Sequence, residues 1–298
     1  MKISRPSCAQ PEMCLRNAMV FPIKSMNKHT GFTVKRSVSQ SDQLEAVAFL
    51  ASHTGLSKAR IKDAMNKGAV WVRRKGRARE RLRRATATLK EGDVLELHYD
   101  PVLLSTTPPK ARCMMDRLSY SVWHKPAGLL TEGTDYGDHC SLLRQVEIAF
   151  TPRRKVFPVH RLDREAGGLV LVAHTSEAAR ELSKLFRDRE VRKRYRVEVL
   201  GKMDCPSGVI DLPLDHRPAV TKYSVLLDNP DEKTSVLMVE METGRLHQIR
   251  RHLAGIGHPV MGDPRYGRGN KDNHPMRLLA IELTFQCPFT GQEISCKI

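Results

Sequence analysis

Val156-Phe157-Pro158-Val159-His160-Arg161-Leu162-Asp163-Arg164-Glu165-Ala166-Gly167-Gly168-Leu169-Val170-Leu171-Val172-Ala173 sets a dense polar cluster between two strand-like apolar runs. Charges flanked by sheet strands belong at a strand end or in a cleft. Asp163 stands between Arg161 and Arg164; if these approach it, its carboxylate is favoured at neutral pH, which suits a nucleophile or base better than a proton donor. An ion pair that only braces the fold is the other reading of the pentapeptide.

Working outward, further strand-like runs fall at 118–123, 168–174, 195–200, 221–227, 235–242 and 278–285, with helical patterns at 141–150, 177–187 and 248–253. Short, irregularly spaced strands with few helices between them indicate an α+β fold with a mixed, largely antiparallel sheet. A second cluster, Thr243-Gly244-Arg245-Leu246-His247-Gln248-Ile249-Arg250-Arg251-His252-Leu253, predicts a helix with His247, Arg250 and Arg251 on one face and Leu246, Ile249 and Leu253 on another. His247 and His252 are five residues apart, which is not the spacing of a helical zinc site, so no metal is expected. The Gly/Pro-rich loop 257–267 reads as scaffold or as backbone lining a site. In Arg192-Lys193-Arg194-Tyr195-Arg196, one ring among cations can stack a base or be a partly buried strand tyrosine.

Upstream, the composition changes. The 298 residues carry 50 Lys and Arg against 33 Asp and Glu, a net charge of +17, and about +12 of it lies within the first 110 residues. A basic excess of this size gathers phosphate polyanions, so nucleic acid is the first partner class, ahead of a membrane surface or an acidic protein. No run approaches the ~18 apolar residues of a membrane-spanning helix, and no secretory signal opens the chain. The seven cysteines, at 8, 14, 113, 140, 205, 287 and 296, form no Cys-x-x-Cys pair, which supports neither a disulfide framework nor a zinc knuckle. A cytoplasmic protein without a membrane partner is expected.

Residues 1–38 show no periodicity. Starts at Met19 or Met26, or a basic targeting peptide, would account for them. Residues 39–100 read as a small basic module: a helix through Leu44–Ala51 stopped near Gly55, a second helix after Ser57, a strand at 69–72, an arginine-dense loop at 73–84, and a strand at 94–99. Its cations Lys58, Arg60, Lys62, Lys67, Arg73 and Arg74 are the expected RNA contacts. Residues 101–112 have linker composition, which leaves 113–298 as the large domain.

The module resembles the S-four-type (αL) RNA-binding fold through Gly55-Leu56-Ser57-Lys58-Ala59-Arg60-Ile61, Gly68-Ala69-Val70-Trp71-Val72 and Glu91-Gly92-Asp93-Val94-Leu95-Glu96-Leu97. It has Arg73-Arg74-Lys75-Gly76 where that fold has Asn-Gly. The large domain resembles the RluA-type RNA pseudouridine synthases through Lys125-Pro126-Ala127-Gly128-Leu129-Leu130, His160–Arg164, Lys193-Arg194-Tyr195, Gly244–His252 and Gly257–Gly267. Ala166-Gly167-Gly168 stands where that family commonly has Thr-Ser-Gly, and Leu279 stands where it has His.

The resemblance implies isomerisation of uridine to pseudouridine in RNA, with Asp163 as catalytic aspartate, Tyr195 packing the base and Arg250 pairing with the aspartate. It implies that Arg161 enters the RNA stack and that Leu278 packs beneath the site. His160, Arg164, Arg245, His247 and Gln248 are expected around the substrate. Moving the glycosidic bond from nitrogen 1 to carbon 5 is redox-neutral and uses no phosphoryl donor, so no cofactor is expected. Ribosomal RNA of the large subunit is the expected substrate and transfer RNA the alternative, for an enzyme acting as a monomer. A catalytically silent RNA-binding or ribosome-assembly protein is the reading of another class.

Overall fold

A computed structural model describes residues 31–267 and 274–298, apart from 41 and 43. The expectations for residues 1–30, including alternative starts and a targeting peptide, lie outside the described residues.

The N-terminal module consists of β1 (Phe32–Ser37), α1 (Ala46–Thr54), α2 (Lys58–Asn66), β2 (Val70–Arg73), β3 (Glu80–Arg81), β4 (Val94–Tyr99) and α3 (Pro101–Ser105). Its sheet has the order β1-β4-β2-β3 and is antiparallel throughout. Helix α1 buries Ala46 to Leu50 and stops where Gly55, at φ 69°, returns its N–H to the Ala51 carbonyl. Helix α2 starts at Ser57, whose hydroxyl accepts the Arg60 N–H, and buries Ile61, Ala64 and Met65. These side chains join Val70, Val72, Leu95 and Leu97 in one apolar cluster.

Two expected boundaries are corrected. Phe32–Ser37, expected to be irregular, is an edge strand paired to β4; it is exposed at five of six positions, so it carries no burial pattern to read. Residues 101–105, expected to be linker, form a capped helix. Asp100 accepts the N–H groups of Val102 and Leu103, and Leu104 enters the module's core.

The rest of the chain forms β5 (Arg112–Asp116), β6 (Tyr120–Lys125), α4 (Leu142–Ala149), β7 (Phe157–Pro158), β8 (Gly167–Ala173), α5 (Ser176–Arg187), β9 (Arg192–Leu200), β10 (Ser207–Asp211), β11 (Val220–Asn229), β12 (Thr234–Met241), α6 (Gln248–Gly255), β13 (Leu278–Gln286) and β14 (Glu293–Lys297). The chain divides into two compact units, though not at 101–112. One unit holds the module and continues to Arg164, adding Leu171–Ala179; the other takes Glu165–Val170 and Arg180–Ile298. The module's arginines bond to residues 134–138 within the same unit, as described below.

In the first unit, β5 and β6 form an antiparallel hairpin and β7 pairs with the end of β8. In the second, β10, β11, β12, β9 and β13 lie antiparallel in that order, β14 flanks β13, and the start of β8 runs parallel to β13. The architecture is mixed α and β with a mostly antiparallel sheet. Gly168 permits the β8–β13 pairing: its φ is 117°, and a Cβ there would collide with the backbone nitrogen and carbonyl oxygen of Ala280.

Candidate active site

Asp163 lies in the loop between β7 and β8, half-buried, between exposed Arg161 and Arg164. The backbone on both sides of it is braced. The Leu162 N–H donates to the Thr131 hydroxyl (3.1 Å), which donates back to the Leu162 carbonyl (2.8 Å). The Gly128 N–H donates to the Arg164 carbonyl (2.7 Å). Beneath them Lys125 is fully buried, and its ammonium donates to the carbonyls of Leu129 (2.8 Å), Pro126 (3.2 Å) and Arg164 (3.4 Å). Carbonyl oxygens supply part of the solvation a buried cation needs. His160, expected at the substrate, is a brace: its Nε2 accepts the Leu171 N–H at 3.0 Å and is therefore unprotonated. Arg164 Nε donates to the Gly128 carbonyl (3.3 Å).

Tyr195 is buried in β9, opposite Val239 of β12 and Ala280 of β13. Ala280 in turn faces Gly168, five residues beyond Asp163 in the chain. Leu278 is buried opposite Val197. Arg194, beside Tyr195, bonds Glu240, and that hydrogen bond raises its pKa above the usual arginine value.

Helix α6 starts at Gln248, where the helical pattern begins. His247 sits before the first turn in the left-handed region (φ 53°), and Leu246, expected on the apolar face, is 61% exposed. Arg250 is buried. It donates twice to Asp263, through Nε (2.7 Å) and Nη2 (2.8 Å), and its Nη1 lies 3.5 Å from Glu165, two residues after Asp163. Asp263 also accepts the N–H groups of Arg265 (2.8 Å) and Tyr266 (3.0 Å). Burial would raise the Asp263 carboxyl, but the bonds and charge of Arg250 with those two N–H groups outweigh it and hold the pKa below the usual carboxylate value. The Tyr266 hydroxyl lies 3.0 Å from His247 Nδ1, and its ring is 5.3 Å from the Arg250 guanidinium.

One more expected substrate contact is committed within the protein. Gln248 is buried with both amide roles filled: its oxygen accepts from Thr243 and the Arg245 N–H, while its nitrogen donates to the Val220 carbonyl and Thr221. Four bonds exhaust an amide, so Gln248 pins α6 to β11. The Arg245 side chain donates to the Pro218 carbonyl. Arg251 makes a two-point pair with Asp215 (2.8 and 3.0 Å), and buried His252 bridges Thr221 and the Leu212 carbonyl. No group of three or more His, Cys, Asp or Glu placed to hold a metal occurs among the described residues.

The module's cations divide as well. Lys58, Arg60, Lys62 and Arg73 are exposed. Lys67 instead bonds Asp63 (2.9 Å) and the Leu104 carbonyl (2.5 Å), and Arg74 lies 3.8 Å from Glu80. The reading from sequence missed Thr131, Glu165 and Asp263 and gave Lys125 no separate role. Each acts through a distant partner, and only Gly262-Asp263-Pro264, read as a turn, hinted at its place.

Residues 119–255 match the family model for RNA pseudouridylate synthase. An uncharacterized RNA pseudouridine synthase of Aquifex aeolicus is 31% identical over 78% of this chain and 79% of its own length. The dual-specificity RNA pseudouridine synthase RluA of Haemophilus influenzae is 34% identical over 58% of this chain and 86% of its own. Ribosomal large subunit pseudouridine synthase D of Nitrosomonas europaea is 38% identical over 50% of this chain, which spans about half (47%) of that relative. Among solved structures, human RNA pseudouridylate synthase domain containing 1 superposes with a TM-score of 0.55 at 22% identity, over 65% of this chain and 86% of that one. Sequence motifs, sheet and relatives agree: the chain belongs to the RluA-type RNA pseudouridine synthases.

Proposed function

We propose that this RNA pseudouridine synthase modifies large-subunit ribosomal RNA, with Asp163 as its catalytic aspartate and the N-terminal module holding the RNA. The observation that carries the assignment of Asp163 is the bracing of both neighbouring residues, Leu162 through Thr131 and Arg164 through Gly128, around a half-buried carboxylate. A fixed backbone under a single acid is the preorganisation such chemistry needs.

The uridine leaves its stack, at a cost of a few kcal/mol. Exposed Arg161 is available to take the vacated place, and the family resemblance gives Tyr195 the role of packing the base. Asp163 then acts at carbon 1′ or carbon 6 as a nucleophile, or at carbon 2′ as a base. The C1′–N1 bond breaks, a C1′–C5 bond forms, and the proton lost from carbon 5 is balanced by one gained at nitrogen 1. The family resemblance gives Arg250 its part in the chemistry, and Asp263 holds its guanidinium.

Asp163→Ala is expected to abolish pseudouridine formation and to leave RNA affinity within a few-fold. A variant that still modifies RNA would end the assignment. Transfer RNA is the second reading, favoured by similarity to a tRNA pseudouridine synthase C of Vibrio parahaemolyticus, 30% identical over 84% of that relative's length. Mapping pseudouridine in total RNA from a strain with and without the gene decides between them. If no site is lost, the silent RNA-binding reading takes over.

A further inference from the structure

The arginine-rich loop of the module does not all face solvent. The guanidinium groups of Arg79 and Arg81 lie over the Trp71 ring, 4.5 and 4.2 Å from its centre, and the Trp71 indole N–H donates to the Asp135 carbonyl (3.1 Å). Arg79 pairs with the Asp135 carboxylate (2.8 Å). Arg81 donates to the carbonyls of Gly68 and Thr134 and lies 3.3 Å from Asp138. Arg83 pairs with the same Asp138 oxygen and donates to the Asn66 carbonyl (3.0 Å). The Asp138 N–H donates to the Lys67 carbonyl at the end of α2 (2.9 Å), and His139 Nε2 meets the Leu103 carbonyl (3.2 Å). The other Asp138 oxygen, Oδ1, is buried without a hydrogen-bond partner among the described residues. A junction built on charge with an unmatched polar atom specifies geometry more than it stabilises.

From this junction the bonding continues to Asp163. The Asp138 carbonyl accepts from Ser141 through both its N–H and its hydroxyl. The N–H groups of Leu142 and Leu143 donate to the carbonyls of Leu130 and Thr131, and the Thr131 hydroxyl makes the two bonds to Leu162 beside Asp163. One hydrogen-bonded path runs from the end of α2, which carries exposed Lys58, Arg60 and Lys62, to the backbone of the catalytic loop.

We infer that residues 131–141 form a strut fixing the RNA-holding module at a set offset from Asp163, with Asp138, Arg81 and Arg83 as positioning residues that select which uridine is modified. This rests on the reading of Asp163 as catalytic and of the module as the RNA holder. The module is then a rigid gauge: RNA seated on its exposed cations presents one nucleotide to the loop. Breaking the strut frees the offset and misaligns the loop, while the exposed cations keep their hold on RNA.

The test uses the full-length protein and total RNA from a strain lacking the gene, with single-turnover rates and site mapping of pseudouridine. Asp138→Asn and Arg83→Met are expected to slow the saturated rate about ten- to a hundredfold, because small misplacements cost that much. Half-saturation should move by less than about threefold, and modification should spread to neighbouring uridines. The half-exposed pair is probed by Arg79→Gln with Asp135→Asn, which thermal melting should show folded and which should reproduce the spread in milder form. Lys58→Ala with Arg60→Ala and Lys62→Ala should instead raise half-saturation. Folded strut variants that keep the parent's rate and site profile would overturn the inference. An active Asp163→Ala, or exposed-cation variants of unchanged half-saturation, would overturn the underlying reading.

Discussion

Arg250 and Asp263 show what a single residue contributes here once its partners are known. A guanidinium held at both oxygens of a buried carboxylate cannot lose that partner cheaply: removing one member of such a pair typically costs about 3–5 kcal/mol. Asp263→Asn is therefore expected to lower stability by about 3 kcal/mol in denaturant melts at pH 7. Because the folded pKa of Asp263 lies below the unfolded value of ~3.9, its contribution is present above that pH and is lost as pH falls through the folded value. The variant's deficit should accordingly shrink in acid, and a deficit independent of pH would refute the assignment. Gly168 makes a steric case. Gly168→Ala places a methyl group against the Ala280 backbone at a left-handed φ, and soluble, folded protein should be lost; a normal melting curve would show that the pairing gives way. Gly168 was legible as part of a motif, but the reason for glycine lies 112 residues away at Ala280.

Elements were read well where period and caps agree. The strand at 94–99 has its expected bounds, and the helix after Ser57 and the stop at Gly55 stand where their chemistry put them. Strands β1, β5, β10 and β14 went unread, since each is short and exposed at half or more of its positions. Helix α6 starts at Gln248, where the helical pattern begins, but His247 and Leu246 stay outside its first turn because His247 takes a left-handed conformation and its ring meets Tyr266, a neighbour that no periodicity encodes. Two buried histidines tie the elements to pH: His174 at the end of β8, bonded to Ser121 and the Lys155 carbonyl, and His252 in α6. Burial lowers both pKa values, so the unfolded chain takes up more protons below pH ~6.5 and stability falls as pH drops through that region. Melting temperature should decline from pH 7.5 to 5.5, and His252→Gln should flatten that slope. An unaltered slope would mean that His252 carries none of it.

At the scale of the whole molecule, the +17 charge is allocated unevenly. Arg79, Arg81, Arg83 and Lys67 are committed to bonds within the protein, whereas Lys58, Arg60, Lys62 and Arg73 face solvent. Only the second group is free to displace counterions from phosphates. Reversing Lys58, Arg60 and Lys62 to Glu should reduce the salt-dependence slope of RNA binding by about 2–3, near one unit for each phosphate no longer neutralised. A slope equal to the parent's would remove the module from the RNA interface.

The sequence by itself determined the sheet-rich architecture, the family and the residues bearing its motifs, because apolar period, turn chemistry and motif order are properties of neighbouring residues. Tertiary structure alone decided which polar residues brace and which remain open. Gln248 and His160 proved committed within the protein, Asp263 and Thr131 emerged as supports, and the arginine loop divided between docking and solvent. The physical reason is that a hydrogen bond or ion pair belongs to two groups, and here the partners are distant along the chain: 11 residues for His160 and Leu171, 31 for Thr131 and Leu162, and 55 for Arg83 and Asp138.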